Sequence, residues 1–333
     1  MLIATIDGGT TNTRTRIWKD NLIISEAEVA VGVRNTAIDG NNHKLIEAVH
    51  NTLYEAAAGS DSNVENIELV LAAGMLTSNV GIREIPHISA PAGMAELASS
   101  MVSCIIPEIT DRPIWFVPGI KNIADKDITE NNITNMDIMR GEESEAAGLL
   151  EYFTPVGSSV LVLPGSHNKY ISLDDKQNVL GCMTTMAGEV LHSLTFDTIL
   201  ADSVDRAFAR SFDEKAFLRG VDYGKRLGIG HAAFMARILR LFHHDTAEQV
   251  RNYLLGLMLI DDWQSLQESE FFHNMRKAVF IVTGNPIMQK AYECLLHSKG
   301  VEVKLVSEEM QRGLSGFGAI SLAKRRGLLT DRR

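Results

Sequence analysis

One succession of elements runs through this sequence twice, and few folds accommodate it. In the first half, Leu2–Ile6 is apolar and reads as a strand. Asp7-Gly8-Gly9-Thr10-Thr11-Asn12 is turn chemistry, and Thr13–Trp18 alternates as a half-buried strand. Lys19-Asp20-Asn21 turns the chain again, and Leu22–Val29 returns as a third strand. Leu45, Ile46, Val49 and Leu53 share one helical face between His43 and Ala58. A strand at Leu69–Ala72, a helix around Pro91–Val102 and a strand at Ile114–Val117 follow. After a polar loop from Lys121 to Asn135, a helix begins near Gly141 and runs to about Phe153.

The second half repeats the order. Ser159–Leu163, Lys169–Leu173 and Asn178–Thr184 read as three strands, joined by Pro164-Gly165-Ser166-His167-Asn168 and Asp174-Asp175-Lys176-Gln177. Helical sequence fills roughly 191–267. A strand at Ala278–Val282, a helix from Pro286, a strand at Val301–Val306 and a last helix from about Gly313 complete it. The pattern predicts an α/β chain of two βββαβαβα domains, 1–141 and 142–333, and 333 residues is ample length for two cores. Gly313, Gly316, Gly318 and Ala319 would let the last helix pack closely, with the domain hinge as its expected place.

The two first turns also match. Gly9-Thr10-Thr11-Asn12-Thr13-Arg14 corresponds to Gly165-Ser166-His167-Asn168-Lys169: a glycine and a hydroxyl, then Asn, then a cation. This doubled unit resembles the acetate kinase, sugar kinase, heat-shock chaperone and actin superfamily. The resemblance implies two ribonuclease-H-like (actin-like ATPase) domains with ATP in the cleft between them. Glycines let backbone N–H groups approach phosphate oxygens, so Gly8, Gly9, Thr10, Thr11 and Asn12 are expected phosphate ligands, with Arg14 offsetting charge. Gly165, Ser166, His167 and Lys169 would grip the phosphates from the second domain. Asp7, ending the first strand, is the expected Mg²⁺ ligand, acting through water. A bare turn would also account for Asp-Gly-Gly taken alone. The sequence contains neither a Walker-type loop nor a dinucleotide fingerprint.

Met139-Arg140-Gly141-Glu142-Glu143-Ser144-Glu145 opens the helix before the second domain. In sugar kinases of this superfamily the catalytic acid lies at the start of that helix, which implies Glu142, or next Glu143, as the base that orients the acceptor hydroxyl. Acidic residues in a first helical turn also simply suit the helix dipole. Thr283-Gly284-Asn285-Pro286 joins a strand to a helix. Asn285 and Pro286 are good cap and first-turn residues, while Gly284 would let adenine lie on the loop, so Gly284 and Asn285 are the expected adenosine contacts.

More specific runs narrow the resemblance to the 2-dehydro-3-deoxygalactonokinases. These are Ile6-Asp7-Gly8-Gly9-Thr10-Thr11-Asn12, Ala73-Gly74-Met75-Leu76-Thr77-Ser78-Asn79-Val80-Gly81, Met139-Arg140-Gly141-Glu142-Glu143, Pro164-Gly165-Ser166-His167-Asn168-Lys169 and Met186-Ala187-Gly188-Glu189. The family resemblance implies phosphorylation of the terminal (6-) hydroxyl of a 2-keto-3-deoxy sugar acid, with ATP and Mg²⁺. Ser78, Asn79, Arg83, Arg140 and Glu189 are then the expected substrate residues, Arg83 or Arg140 pairing with the carboxylate because Arg offers two parallel hydrogen bonds. The sequence departs from the family at Gly8, where an aromatic residue can stand, and at Ser166 and Ala187, where threonine can stand. The serine keeps the hydroxyl; the other two changes leave the epimer open.

A net charge of −10 argues against nucleic acid or an anionic membrane as partner. The N-terminus enters a strand without a signal-like segment, and three scattered cysteines read as reduced thiols, so the expected place is the cytoplasm. A kinase for another sugar or acid, or an actin- or chaperone-like nucleotide switch, remain the alternatives, and oligomeric state is left open.

Overall fold

The computed structural model describes residues 1–329. Its chain divides into two compact units: Met1–Thr154 with Lys176–Leu180 and the segment from Arg312 onward, and Pro155–Asp175 with Gly181–Gln311.

The first unit contains β1 (Leu2–Gly8), β2 (Thr13–Lys19), β3 (Leu22–Val29), α1 (Val33–Asp39), α2 (His43–Gly59), β4 (Ile67–Gly74), β5 (Ile88–Ser89), α3 (Met94–Ser99), β6 (Val102–Ile106), β7 (Thr110–Phe116), β8 (Ile120–Lys121), β9 (Ile138–Met139) and α4 (Glu142–Tyr152). The second contains β10 (Ser159–Leu163), β11 (Asn168–Leu173), most of β12 (Val179–Thr185), α5 (Ala187–Phe196), α6 (Glu214–Phe242), α7 (Ala247–Glu268), β13 (Val279–Val282), α8 (Pro286–Ser298), β14 (Glu302–Leu305) and α9 (Glu308–Gln311). The final helix α10 (Leu314–Arg325) belongs to the first unit.

The repeat is visible in the sheets. The first runs β3-β2-β1-β4-β7-β6 and the second β12-β11-β10-β13-β14. In each, the opening strand pairs antiparallel with the next and parallel with the strand that follows the first helical segment. Two actin-like domains of ribonuclease-H type account for this order.

Pleating sorts the side chains of the first sheet. Ala4 and Ile6 of β1 join Ile17 of β2 and Leu45, Val49 and Leu53 of α2 in one core. Alternate positions point to the opposite face, because successive strand residues do. There Thr5 accepts a 2.7 Å bond from the indole of Trp18, and Gly316 of α10 comes so close that a Cβ would lie 2.5 Å from the Thr5 hydroxyl. In the second unit, Val160, Val162 and Phe280 of the sheet are buried with Phe217 of α6, Leu255, Leu259 and Trp263 of α7 and Leu295 of α8.

Several expectations change. The helix expected over 91–102 is only α3, and its end is strand: the β-branched run of β6 pairs antiparallel with β7 instead. The 121–135 loop is bracketed by β8 and β9, which pair with each other, and β8 pairs with β5 on its other side to make a small sheet. The expected 1–141/142–333 division gives way to one in which α4 and α10 both stay with the first unit. The reason is backbone contact: a Cβ on Gly318 would lie 1.8 Å from the Ser144 carbonyl oxygen, and one on Gly148 would lie 2.6 Å from that of Leu314. Only two glycine surfaces let α10 and α4 cross at that separation.

Candidate active site

The C-terminal ends of β1 and β4 meet the start of α4 through three glycines. Gly74 has φ 78° and would place a Cβ 2.5 Å from the Gly8 carbonyl oxygen and 3.1 Å from Asp7 Oδ1. Gly141 has φ 118°, with its Cβ position 3.2 Å from the Gly74 Cα. Both angles fall where side chains are disfavoured. This convergence brings Asp7 into the electrostatic company of Glu142 and Glu145.

The carboxylates differ in environment. Glu143 is 0 % exposed and accepts the Gly141 N–H at 2.8 Å on both oxygens. Burial, with Glu142 adding to it, pushes its carboxyl up to about 8. Glu145, one helical turn beyond Glu142, is pushed up to about 8 by burial and by Asp7, Glu142 and Glu143. Burial also raises Asp7, opposed by Arg16 and Arg14. Glu142 keeps partial exposure, and its Oε2 accepts the Arg140 backbone N–H at 2.9 Å.

In the first hairpin, Thr10, Thr11 and Asn12 are exposed, and Gly9 N–H closes the turn on Asn12 O at 2.8 Å. Asn12 and Arg14, both expected on phosphate, share a partner on β3: Glu28 accepts Asn12 Nδ2 at 2.8 Å and Arg14 Nε at 2.9 Å. Those bonds hold the Glu28 carboxyl below its usual range.

Arg140 is tied to the loop after β4. Nη1 donates to the Thr77 carbonyl and hydroxyl at 2.5 and 2.6 Å, and Nη2 to Ile85 O at 3.1 Å, with His87 Nδ1 also at 3.1 Å. Burial, with the Arg140 charge beside it, lowers His87 to about 4, so the imidazole is neutral and Nδ1 can accept. In the same loop Ser78 Oγ donates to Met75 O at 2.7 Å, while Asn79 and Arg83 are exposed. The Arg83 charge acts on the Cys104 thiol of β6, and burial outweighs it to raise that thiol.

The second unit has a pocket of about 600 Å³. Its walls include Gly165 and Ser166 of the second hairpin, Glu189 of α5, and Gly284 and Asn285, with Met258 and Ile287 on the apolar side. Residues 120 positions apart are thus brought to one pocket. The start of α5 presses on the hairpin: a Cβ at Gly188 would lie 2.1 Å from Gly165 O, and Glu189 N–H donates to Ser166 O at 2.9 Å. His167 Nε2 meets Glu189 Oε1 at 3.0 Å. Glu189, expected on the sugar acid, therefore lines the same pocket as Gly284. Lys169 is buried, with its ammonium on the Thr184 hydroxyl.

The family of 2-keto-3-deoxy-galactonokinases matches this chain over residues 7–317. The chain belongs to that family. It is 26% identical over 320 residues, 94% of its length and 95% of the relative's, to a candidate 2-dehydro-3-deoxygalactonokinase of Rhizobium meliloti (strain 1021). It is 25% identical over 303 residues, 91% of each chain, to the 2-dehydro-3-deoxygalactonokinase of Escherichia coli (strain K12). A crystal structure of a candidate 2-dehydro-3-deoxygalactonokinase from Sinorhizobium meliloti has the same fold, with a TM-score of 0.73 and 23% identity over 97% of this chain and 98% of that one.

Within the family, the departure at Gly8 has a structural counterpart. A Cβ there would lie 2.4 Å from Leu76 Cγ, so Leu76 occupies the space that a larger residue would need. Sequence reasoning missed Arg16, Glu28 and Glu145. Arg16 and Glu28 could have been sought by alternation, since they share a strand face with Arg14 once β2 and β3 are registered. Glu145 follows Glu142 by three residues, a spacing that puts both on one helical face.

Proposed function

We propose that this chain transfers the γ-phosphoryl group of ATP to the terminal (6-) hydroxyl of 2-dehydro-3-deoxy-D-galactonate, in carbohydrate acid catabolism. The observation that carries the reading is the carboxylate group at the end of β1 and the start of α4, in a member of a sugar-acid kinase family. Phosphoryl transfer asks chiefly for positioning and charge stabilisation. Glu142 is the general base: it retains exposure, whereas Glu143 is enclosed and spends both oxygens on Gly141. Glu142 takes the proton of the acceptor hydroxyl as that oxygen bonds to the γ-phosphorus, and ADP leaves with the bridging oxygen.

The second-unit pocket takes the nucleotide. Apolar Met258 and Ile287 suit adenine, Gly284 and Asn285 the adenosine edge, and Gly165 and Ser166 the phosphates. Lys169 contributes charge from beneath the hairpin. Gly9, Thr10 and Thr11 of the exposed first hairpin serve the transferred phosphoryl group. For the sugar acid, Arg140 holds the 75–87 loop in shape, and the exposed Asn79 and Arg83 are left to meet the carboxylate.

Mg²⁺ fits the hard oxygen donor of Asp7, which has Glu142 and Glu145 as neighbours. Among the described residues no three His, Cys, Asp or Glu side chains form a metal cage, so Asp7 would hold an ion that keeps most of its water. When bound, the ion would neutralise phosphate charge. Among the described residues no helix is long and apolar enough to cross a membrane, and we place the reaction in the cytoplasm.

The test is a coupled ADP-release assay with Mg·ATP and a panel holding 2-dehydro-3-deoxy-D-galactonate, its gluconate epimer and neutral sugars. Rapid turnover is expected with the galactonate-derived acid. Turnover only with a neutral sugar would discard the substrate, and slow hydrolysis indifferent to every acceptor would favour a nucleotide switch.

A further inference from the structure

Behind the second hairpin lies a chain of buried polar groups that no step above uses. Asn168 Oδ1 accepts the Gly165 N–H at 3.2 Å, and Asn168 Nδ2 donates to Asp262 Oδ2 at 2.9 Å. Tyr170 donates its hydroxyl to the same oxygen at 2.7 Å, and Tyr292 meets Tyr170 at 2.8 Å. Asn168 and Tyr170 are 1 % exposed, and Asp262 and Tyr292 2 %. With its own proton on Asp262, Tyr170 can only accept from Tyr292.

We propose that Asp262, on α7, is a positioning residue for nucleotide binding: it fixes the Asn168 amide, which in turn sets the Gly165–Asn168 turn. The inference rests on reading the second-unit pocket as the nucleotide site. An amide can be turned through 180°, exchanging its donor and acceptor ends. A carboxylate oxygen beside it accepts only, so the NH₂ group must face Asp262 and the carbonyl is left for Gly165. Gly165 and Ser166 line the pocket, and Gly188 presses on the Gly165 carbonyl from the other side. The hairpin backbone is thereby clamped between α5 and Asn168, and a turn held in its binding conformation avoids the ordering cost at the moment of binding. Asp262 is 94 residues from Asn168 in the chain. Nothing local in the sequence links them.

Calorimetric titration with ADP tests this. Asp262→Leu and Asn168→Ala should each raise the Kd for ADP about tenfold, the scale of one lost hydrogen bond to a preorganised turn. The double variant should bind no more weakly than the weaker single, because both changes break the same linkage. Tyr170→Phe removes a second donor to Asp262 and should lower the melting temperature with the Kd unchanged, which a merely stabilising network would not separate. In turnover, Asp262→Leu should raise KM for ATP and leave KM for the sugar acid alone. A wild-type Kd in Asp262→Leu, or additive losses in the double variant, overturns the proposal. Should Asp262→Leu not fold, an unchanged Kd in Asn168→Ala is enough to overturn it. Wild-type protein that binds no ADP would instead sink the nucleotide-site reading itself.

Discussion

Glu142 and Glu143 are adjacent in the chain and opposite in circumstance, and substitution should separate them. Glu142→Gln should lower kcat by about 10²-fold or more, the usual contribution of a general base, with the Kd for ADP unchanged. For Glu143 the informative axis is pH. Its carboxyl is raised from 4.5 to about 8, so the fold favours the protonated form. That contribution is fully present below pH 4.5 and is lost as pH rises through about 8. The melting temperature of the wild type should therefore fall between pH 5 and 9 more steeply than that of Glu143→Gln, read by calorimetry at each pH. Glu145, also near 8, leaves some slope in both proteins. An identical slope in the two would refute the burial account of Glu143. The part of this candidate site that the sequence could offer is local: Asp7 stands near the end of β1, Glu142 opens a helix, and both stand in short runs of distinctive composition. Arg16, Glu28 and Asp262 were not legible, because each takes its meaning from strand register or from a partner far along the chain.

At the scale of elements, the crossing of α4 and α10 carries the proposed base, Glu142. Gly318→Ala would put a methyl group 1.8 Å from the Ser144 carbonyl oxygen, and backbone cannot step aside as a flexible side chain can. The variant should lose about 1–3 kcal/mol or more of unfolding free energy in a urea titration. An unchanged midpoint would mean that α10 slides along α4 at no cost. The triple strands and their hairpins were legible from alternation and turn residues. The end of α3 was not, since a five-residue run such as Val102–Ile106 suits helix or strand until a pairing partner is known. The partner is β7, and only the fold supplies it.

For the whole molecule, duplication was the most legible property and the assignment of the last helix the least. Twice-repeated order announces two sheets, but the chain returns to its first unit after completing the second, and return paths leave no periodic trace. The global charge of −10 is likewise a poor guide to sites that receive two anions. On the proposed assignment the phosphoryl group arrives beside Asp7 and Glu142, with Glu145 held largely protonated by its rise to about 8, and a divalent cation would offset the charge gathered there. Excess chelator should abolish acceptor-dependent ADP release, and Mg²⁺ should restore it. Turnover that survives chelation would remove Asp7 from its proposed role.

The close helix crossings also have a genetic consequence. Gly220 and Gly256 repeat on α6 and α7 what Gly148 and Gly318 do on α4 and α10: a Cβ at Gly220 would lie 1.9 Å from Tyr253 O, and one at Gly256 2.1 Å from Phe217 O. Every other amino acid carries a Cβ, so no missense change at these codons is conservative, alanine included. Mutational drift can explore the surfaces of these helices freely and still find the four positions closed.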